Sequence, residues 1–208
     1  MRARLLVLAV SAAFSTPALA QTDAVSCSSI FGPDSSEAQL IETYGADNVV
    51  SGDVPGPEGT TIFATTVFPD DPDRRMEFGW FDEENRDTLS YVQLSPSQVG
   101  PQGVRIGMSV AEVEAVNEAP FDIGGFGWDY GGYAEINEGK LAGDANGCFI
   151  SLRFSPDYDN IGDTDTSQIS GEISVPSDEP LLEEVNTTVQ AISLGYPDPN
   201  YQEPAADE

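Results

Sequence analysis

The stretch TTIFATTVFPDDPDRRMEFGW, residues 60–80, decides the fold class because it contains two strand patterns and the turn between them. Its first nine residues are rich in β-branched and aromatic side chains, and its last five alternate apolar and more polar ones. Prolines and aspartates at 69–73 favour a turn. A second turn at 83–87 leads to a third predicted strand over 88–94. These patterns predict an antiparallel meander.

A short helix is predicted upstream of this meander. Residues 37–44 carry an apolar stripe at helical spacing, and Gly45 ends the pattern. Ser36 can cap the first turn, with Gln39 three positions further on. The first half of the chain, about residues 30–95, is therefore expected to be a helix plus a meander.

The same order restarts beyond a connector rich in glycine and proline at 96–103. Ser109 and Glu112 have the spacing of a capping box, and the three valines that follow Ser109 at helical spacing form an apolar stripe. The remaining predicted elements are strands over 133–136, 148–154, 168–175 and 188–194, and a short helix over 178–185 capped by Ser177. The second half, about 103–196, therefore repeats the helix-plus-strands order.

The chain is thus predicted to be α+β, an antiparallel sheet with short helices packed on it, built from two helix-plus-meander halves. Residues 21–196 have a suitable length for one such domain. The acidic, proline-rich tail over 197–208 cannot bury apolar surface, and we predict that it is disordered.

Residues 1–20 have the pattern of a cleavable secretory signal peptide. Arg2 and Arg4 precede ten residues of which one is polar, and the segment closes with a small-x-small pattern that ends at Ala20. The apolar run is half as long as the roughly 20 residues that a membrane-spanning helix needs. We therefore expect cleavage after Ala20, no membrane anchor, and a periplasmic or secreted protein.

The chain contains two cysteines, Cys27 and Cys148, which in an exported protein most simply form one disulfide. The bond would close a loop of about 120 residues, a constraint of roughly 4–5 kcal/mol on the chain-entropy model. Cys148 lies on the apolar side of the strand predicted over 148–154. Lipidation of Cys27 is disfavoured because Ala24 stands three positions before it, where a large aliphatic residue is expected. Metal binding by a cysteine pair without histidine is the alternative left open.

The sequence carries 36 acidic against eight basic residues and no histidine, a formal net charge of −28. Without residues 1–20 the basic count is six and the charge is −30. Such a field repels phosphate backbones and anionic lipids, which disfavours nucleic-acid and membrane-surface roles. It attracts cationic partners or divalent cations, although strong net charge is also simply a property of soluble or salt-adapted surfaces.

The most distinctive local feature is the segment GGFGWDYGG at 124–132. Its glycines permit positive φ and close backbone approach, and its aromatic side chains offer large flat surfaces. One interpretation is a recognition loop, whose candidate partner-binding residues are Phe126, Trp128, Asp129 and Tyr130. The other is a tight turn whose aromatic rings pack against the helix that follows Ser109, which is the more common role of aromatic side chains.

An acid-rich segment at 157–165 faintly resembles a calcium-binding loop. Aspartates occupy four of its ligand positions, and Gly162 stands at the required sixth place. The fifth place is Ile161, however, and the twelfth is Gln168 where a bidentate glutamate is needed. We predict no metal site and keep a calcium-loaded structural module as an alternative.

No catalytic residue and no cofactor are predicted. Without histidine the chain lacks a serine–histidine or cysteine–histidine pair and any histidine-containing metal site. Its single lysine, Lys140, belongs to no phosphate-cradling glycine-rich loop. A carboxylate pair needs no histidine, so a hydrolase of envelope glycans stays an alternative.

The chain resembles a family of uncharacterised secreted bacterial proteins, and the run GFGWDYGG at 125–132 is the most specific element of the resemblance. The other matching residues are Ile106 to Ser109, Glu112-Val113, Asn117, Pro120-Phe121, Phe68 to Pro72, Trp80 and Gly147-Cys148. The resemblance covers most of 35–195 and implies export and a compact domain. The pair at 118–119 departs from it, because a glycine-containing pair is expected there. More loosely, residues 107–113 are similar to the opening of β-lactamase-inhibitor-like and small-protein-A-like envelope modules, which implies a binder or assembly factor.

We therefore predict an exported, non-catalytic module that binds a protein or peptide partner through an exposed sheet face or the loop around Trp128. A cationic partner is the specific variant that the acidic composition favours. The alternatives of other classes are the carboxylate-based glycan hydrolase and the calcium-loaded module.

Overall fold

The structure is a computed structural model that describes residues 24–143 and 147–201. The predicted signal peptide lies outside these residues, as does the predicted tail beyond residue 201. The α-helices are α1 (Glu37–Tyr44), α2 (Val110–Asn117) and α3 (Pro180–Glu184). The strands are β1 (Val49–Pro55), β2 (Thr61–Val67), β3 (Met76–Trp80), β4 (Leu89–Gln93), β5 (Asp122–Gly124), β6 (Ala134–Glu135), β7 (Phe149–Ser155), β8 (Ser174–Pro176) and β9 (Thr188–Gly195).

Strands from both halves of the chain form one antiparallel sheet in the order β1-β2-β3-β4-β9-β7. The first four are the meander of the first half, to which the structure adds the unpredicted edge strand β1. From the second half, β9 pairs with β4 through Leu194 opposite Val92, and β7 pairs with β9 through Ile150 opposite Leu194. A smaller sheet has the order β6-β5-β8. The two halves are therefore joined by continuous strand pairing.

A hydrophobic core joins the sheets and the helices. In β3, Phe78 and Trp80 point into this core and are 0% and 5% exposed, as the alternation of the sequence predicts. Leu40 of α1 and Val113 of α2 are fully buried in the same core. The prediction of an α+β fold, with short helices packed on an antiparallel sheet, is confirmed.

The predicted caps of α1 and α2 are present. The hydroxyl of Ser36 accepts a hydrogen bond from the backbone N–H of Gln39 at 3.3 Å. Ser109 and Glu112 form the predicted capping box, each side chain accepting from the backbone N–H of the other residue. None of the helices in the described part of the chain has the length and apolar character required to cross a bilayer.

A disulfide joins Cys27 to Cys148, as predicted, with the two Cα atoms 6.1 Å apart. Both cysteines are buried, and Cys148 directly precedes β7. Nearby, the backbone N–H of Val25 donates to the carbonyl of Val99 at 2.7 Å. The bond and this contact together hold the segment that precedes α1 against the rest of the domain.

A buried amide lies at the end of α2. Asn117 is 0% exposed, and its Nδ2 donates to the carbonyls of Ala119 at 2.8 Å and Glu138 at 2.9 Å. Its Oδ1 accepts from the backbone N–H of Leu141 at 2.9 Å. Because these partners belong to two separate loops, Asn117 fixes both of them to the helix end.

The strand predicted over 168–175 is wrong. This segment contains a 3₁₀ turn at Ser167–Ile169 and the short strand β8, and Gly171 between them has a φ of 95°. The backbone N–H of Phe126 donates to Ile169, and the carbonyl of Phe126 accepts from Gly171. Because Gly171 adopts a left-handed conformation, the chain folds around the glycine- and aromatic-rich segment at 124–132, which we call the Gly/aromatic segment, instead of continuing as a strand.

The short helix near residue 180 forms, but its predicted cap is wrong. α3 begins at Pro180, and the carboxylate of Glu179 accepts from the backbone N–H of Leu181 at 3.1 Å. The predicted cap, Ser177, instead accepts from the backbone N–H of Phe121 at 3.2 Å. Proline suits the first helical position because its missing N–H would have no partner there.

Candidate functional site

The face of the large sheet that is turned away from the core carries the candidate site. Phe78 and Trp80 of β3 point into the core, so Glu77 and Gly79 beside them point to the opposite face. Glu77 remains partly exposed there. The site is therefore built on the outward-facing residues of the large sheet.

One row of paired residues crosses all six strands on this face. From β1 to β7 the row is Gly52, Ala64, Gly79, Tyr91, Gly195 and Phe149. A Cβ atom on Gly79 would lie 1.9 Å from Cε1 of Tyr91, and one on Gly195 would lie 2.3 Å from Cζ of Phe149. Each aromatic ring therefore lies directly over the glycine of the neighbouring strand. Two rings packed on bare backbone form the floor of the site.

Tyr91 is held in place by Glu77. Its hydroxyl donates to Oε1 of Glu77 at 2.8 Å. Burial and the neighbouring Glu77 carboxylate raise the pKa of Tyr91 well above its ordinary value, so the phenol stays protonated at neutral pH. Oε2 of Glu77 accepts no hydrogen bond from the described residues. The floor therefore presents an aromatic ring next to a partly exposed carboxylate.

The Gly/aromatic segment forms one wall of the site, and its glycines are needed for close backbone approach. The backbone N–H of Gly131 donates to the carbonyl of Trp128 at 3.0 Å, which closes a tight turn. A Cβ on Gly131 would lie 2.5 Å from the carbonyl oxygen of Gly125. A Cβ on Gly132, where φ is 83°, would lie 2.2 Å from the carbonyl oxygen of Phe154. The turn is thus packed directly on the body of the domain.

The four candidate partner-binding residues are divided between core and surface. Phe126 is 4% exposed and belongs to the core, so it has no ring surface to offer a partner. Trp128 and Tyr130 are 37% and 46% exposed and meet edge to face, with ring centroids 5.6 Å apart. Asp129 between them is exposed. The segment is therefore a tight turn with one core ring and two surface rings, and its role in recognition stays a prediction.

Hydrogen bonds fix the position of this wall. The indole Nε1 of Trp128 donates to the carbonyl of Gly125 at 2.8 Å. From β7, the guanidinium of Arg153 donates to the carbonyls of Gly131 and Asp129, both at 2.9 Å. The same guanidinium lies 5.1 Å from the centroid of the Tyr133 ring. The exposed rings are therefore attached to a rigid loop.

The floor and the walls enclose an open groove of about 690 Å³, which we call the sheet-face groove. Tyr91 and Phe149 lie on its floor, residues 128–133 form one wall, and the turn over 55–59 between β1 and β2 forms the other. A second depression of about 560 Å³ lies on the far side of Trp128. The Trp128 loop therefore separates two concave surfaces.

Exposed aromatic side chains concentrate at the sheet-face groove. Trp128, Tyr130, Tyr133 and Phe149 are 37%, 46%, 42% and 52% exposed, and all four line it. Soluble proteins rarely expose large contiguous apolar patches without an interaction to use them. The concentration of these rings on one concave surface makes the groove the candidate binding site.

The acid-rich segment at 157–165 forms hydrogen bonds within its own turns. Asp157 accepts from the side-chain amide of Asn160 at 2.8 Å, and Asp165 accepts from the backbone N–H of Ser167 at 3.0 Å. Hydrogen bonds from Ser167 lower the pKa of Asp165. Within residues 24–143 and 147–201, no group of three histidine, cysteine, aspartate or glutamate side chains is placed to hold a metal ion.

The family resemblance of the segment 125–132 rests on the sequence alone. No family model, curated protein or solved structure matches the chain. The resemblance to secreted bacterial proteins and the looser similarity to envelope modules therefore stay predictions.

Sequence reasoning missed half of the groove. It identified Trp128 and Tyr130 from their unusual glycine-rich context, but it gave no role to Glu77, Tyr91 or Phe149. Period-two alternation marks these three residues as outward-facing on their strands. Their assembly depends on the pairing of β4 with β9 and of β9 with β7, which the sequence does not specify.

Proposed function

We propose that this chain is an exported, non-catalytic binding protein that holds a segment of a partner protein or a peptide in the sheet-face groove. The observation that carries the proposal is the meeting of four exposed aromatic side chains, Trp128, Tyr130, Tyr133 and Phe149, on one concave surface. Aromatic residues with large, rigid contact surfaces are enriched among the side chains that dominate binding energies at protein interfaces.

The rigidity of the groove supports the same function. Arg153 ties the Trp128 turn to β7 through two hydrogen bonds, and the indole of Trp128 makes a third to Gly125. The rings of the floor are packed on glycine backbone. A binding surface that is ordered before the partner arrives loses less conformational entropy on binding, which favours affinity.

The exported location is part of the proposal and is supported by the disulfide. A buried bond between Cys27 and Cys148 is typical of proteins that fold in oxidising compartments, where such bonds persist. The pattern of a signal peptide in residues 1–20 points to the same destination.

A peptide-display experiment tests the binding function. Dodecapeptides selected from a random library on the oxidised, exported protein should bind Trp128→Ala and Tyr130→Ala at least about tenfold more weakly, as expected for aromatic hot-spot residues. The matched control is Phe81→Ala, because Phe81 is as exposed as Trp128, at 37%, and lies outside the groove. Selected peptides that bind both groove variants with unchanged affinity would show that the groove is not the binding site.

A further inference from the structure

The carboxylates of the sheet-face groove outnumber its cations. Glu58, Glu77 and Asp129 line it, and among its described lining residues Arg153 is the only basic one. The guanidinium of Arg153 already donates to two backbone carbonyls. The formal net charge of the whole chain, −28, adds a long-range field of the same sign. Local and global electrostatics therefore both favour a cationic ligand.

The aromatic rings of the groove favour the same kind of ligand. Ring faces attract lysine ammonium and arginine guanidinium groups, most strongly where water is partly excluded. The ring of Tyr91 lies over Gly79 and is adjacent to the Glu77 carboxylate, so a planar guanidinium stacked on this ring would reach Oε2 of Glu77. A neutral ligand could use the rings but would leave the carboxylates without a counter-ion.

We infer that the sheet-face groove binds a polypeptide segment rich in arginine or lysine, with one basic side chain stacked on Tyr91 and paired with Glu77. This inference rests on the proposed function and specifies its ligand. Tyr130 and Trp128 contact the same segment from the wall, and Glu58 faces it from the opposite turn. Charge complementarity selects the basic partner, and the aromatic rings confine it to the groove.

Calorimetric titration of the oxidised, exported protein tests the inference with three decapeptides. One alternates arginine and serine, and in the other two glutamine or glutamate replaces arginine. The arginine peptide should bind at least about tenfold more tightly than the glutamine peptide, and the glutamate peptide should not bind. The affinity for the arginine peptide should fall as ionic strength rises, because the charged groups of the groove are partly exposed.

Glu77→Gln tests the specific pairing. Glutamine preserves the size of the side chain and an oxygen that can accept from Tyr91, while it removes the charge. Affinity for the arginine peptide should fall at least about tenfold in this variant and less than about twofold in Glu42→Gln, because Glu42 is an exposed residue of α1 outside the groove. Glu58 lies on the exposed turn over 55–59, opposite the wall formed by residues 128–133, and Glu58→Gln should weaken binding about two- to threefold. This variant tests the inference independently of any folding defect in Glu77→Gln.

The possible outcomes separate the inference from the proposed function. Equal losses in Glu77→Gln and Glu42→Gln would show diffuse attraction and overturn the inference. Arginine and glutamine peptides that bind equally well, and that both lose affinity in Tyr130→Ala, would overturn the inference and leave the peptide-binding function standing. No binding of any of the three decapeptides would overturn the inference alone. Failure of the random library to yield any peptide that binds, or binding of a neutral oligosaccharide in place of peptides, would overturn both.

Discussion

Substitution of Gly79 by alanine should destabilise the protein, although alanine usually stabilises a strand relative to glycine. The new Cβ would lie 1.9 Å from Cε1 and 2.4 Å from Cδ1 of Tyr91. Carbon atoms in van der Waals contact are about 3.5–4.0 Å apart, so the ring must move by about 1.6 Å or more. Such a movement strains the packing and pulls the hydroxyl of Tyr91 away from Glu77, which it contacts at 2.8 Å.

The change in the free energy of unfolding caused by Gly79→Ala is the sum of two costs and one gain. Forcing an extra methyl group into a packed site typically costs about 1–3 kcal/mol, and loss of a hydrogen bond to a carboxylate costs about 1.5–3 kcal/mol when it is buried. Tyr91 is partly exposed, so its ring can swing outward and only part of both costs applies. Replacing glycine also reduces the entropy of the unfolded chain, which stabilises by about 0.4–1 kcal/mol. We expect a net loss of about 1–2 kcal/mol in the free energy of unfolding.

Gly52 provides the matched control because it lies in the same row of the same sheet. A Cβ at Gly52 meets nothing within 4 Å, and its φ lies outside the left-handed region. Gly52→Ala should therefore stabilise the protein by about 0.5 kcal/mol, opposite in sign to Gly79→Ala. Urea unfolding followed by tryptophan fluorescence measures both changes from the midpoint and the slope.

A double variant isolates the cause. In a Tyr91→Ala background the ring is gone, so Gly79→Ala should become neutral or stabilising like Gly52→Ala. If Gly79→Ala stabilises the wild-type protein, the ring does not lie over the glycine as described. If its cost persists without the ring, the destabilisation comes from another source and the packing explanation of the groove floor is wrong.

Two further predictions concern the scaffold. Asn117→Ala removes the three hydrogen bonds of a buried side chain at about 1 kcal/mol each, and it should lower the free energy of unfolding in urea by about 3 kcal/mol. The exposed residue Asn137 should tolerate alanine within about 0.5 kcal/mol. A loss below about 1 kcal/mol in Asn117→Ala would contradict the role of this amide. The double variant Cys27→Ala/Cys148→Ala opens a loop closed across 121 positions and should lose about 5 kcal/mol on the chain-entropy model. Dithiothreitol should lower the melting temperature of the wild type toward that of the double variant, and it should leave the melting temperature of the double variant unchanged. A change in the double variant on adding dithiothreitol would show that the reductant does not act through this disulfide.

The fold class could be predicted from sequence because its signals are local. The capping pairs Ser36–Gln39 and Ser109–Glu112 lie within single turns, and the alternation around Phe78 needs no distant partner. β1 escaped prediction because its residues do not alternate regularly and its proline and glycine resemble loop residues. The prediction of a strand over 168–175 failed at Gly171, which has a left-handed backbone and whose N–H donates to the carbonyl of Phe126, a residue distant in sequence.

Only the part of the site that lies within one short segment could be predicted from the sequence. Trp128 and Tyr130 stand in a glycine-rich run of unusual composition, and the structure places both rings at the surface. Tyr91 and Phe149 belong to ordinary strand patterns, and they become part of one floor only because Gly195 stands between them in the sheet. That register joins strands that are far apart in sequence, and no local pattern specifies it.

The two parts of the groove differ in what the fold requires of them. Glycine within a strand leaves the backbone without side-chain cover, and an aromatic ring from the neighbouring strand restores that cover. Tyr91 over Gly79 and Phe149 over Gly195 therefore contribute to sheet stability whether or not a partner binds. The fold has no comparable need for the exposed ring of Tyr130, because the turn that carries it is already fixed by Arg153 and by glycine packing. Loss of binding in Tyr130→Ala without loss of stability therefore separates recognition from folding, whereas changes at Tyr91 alter both.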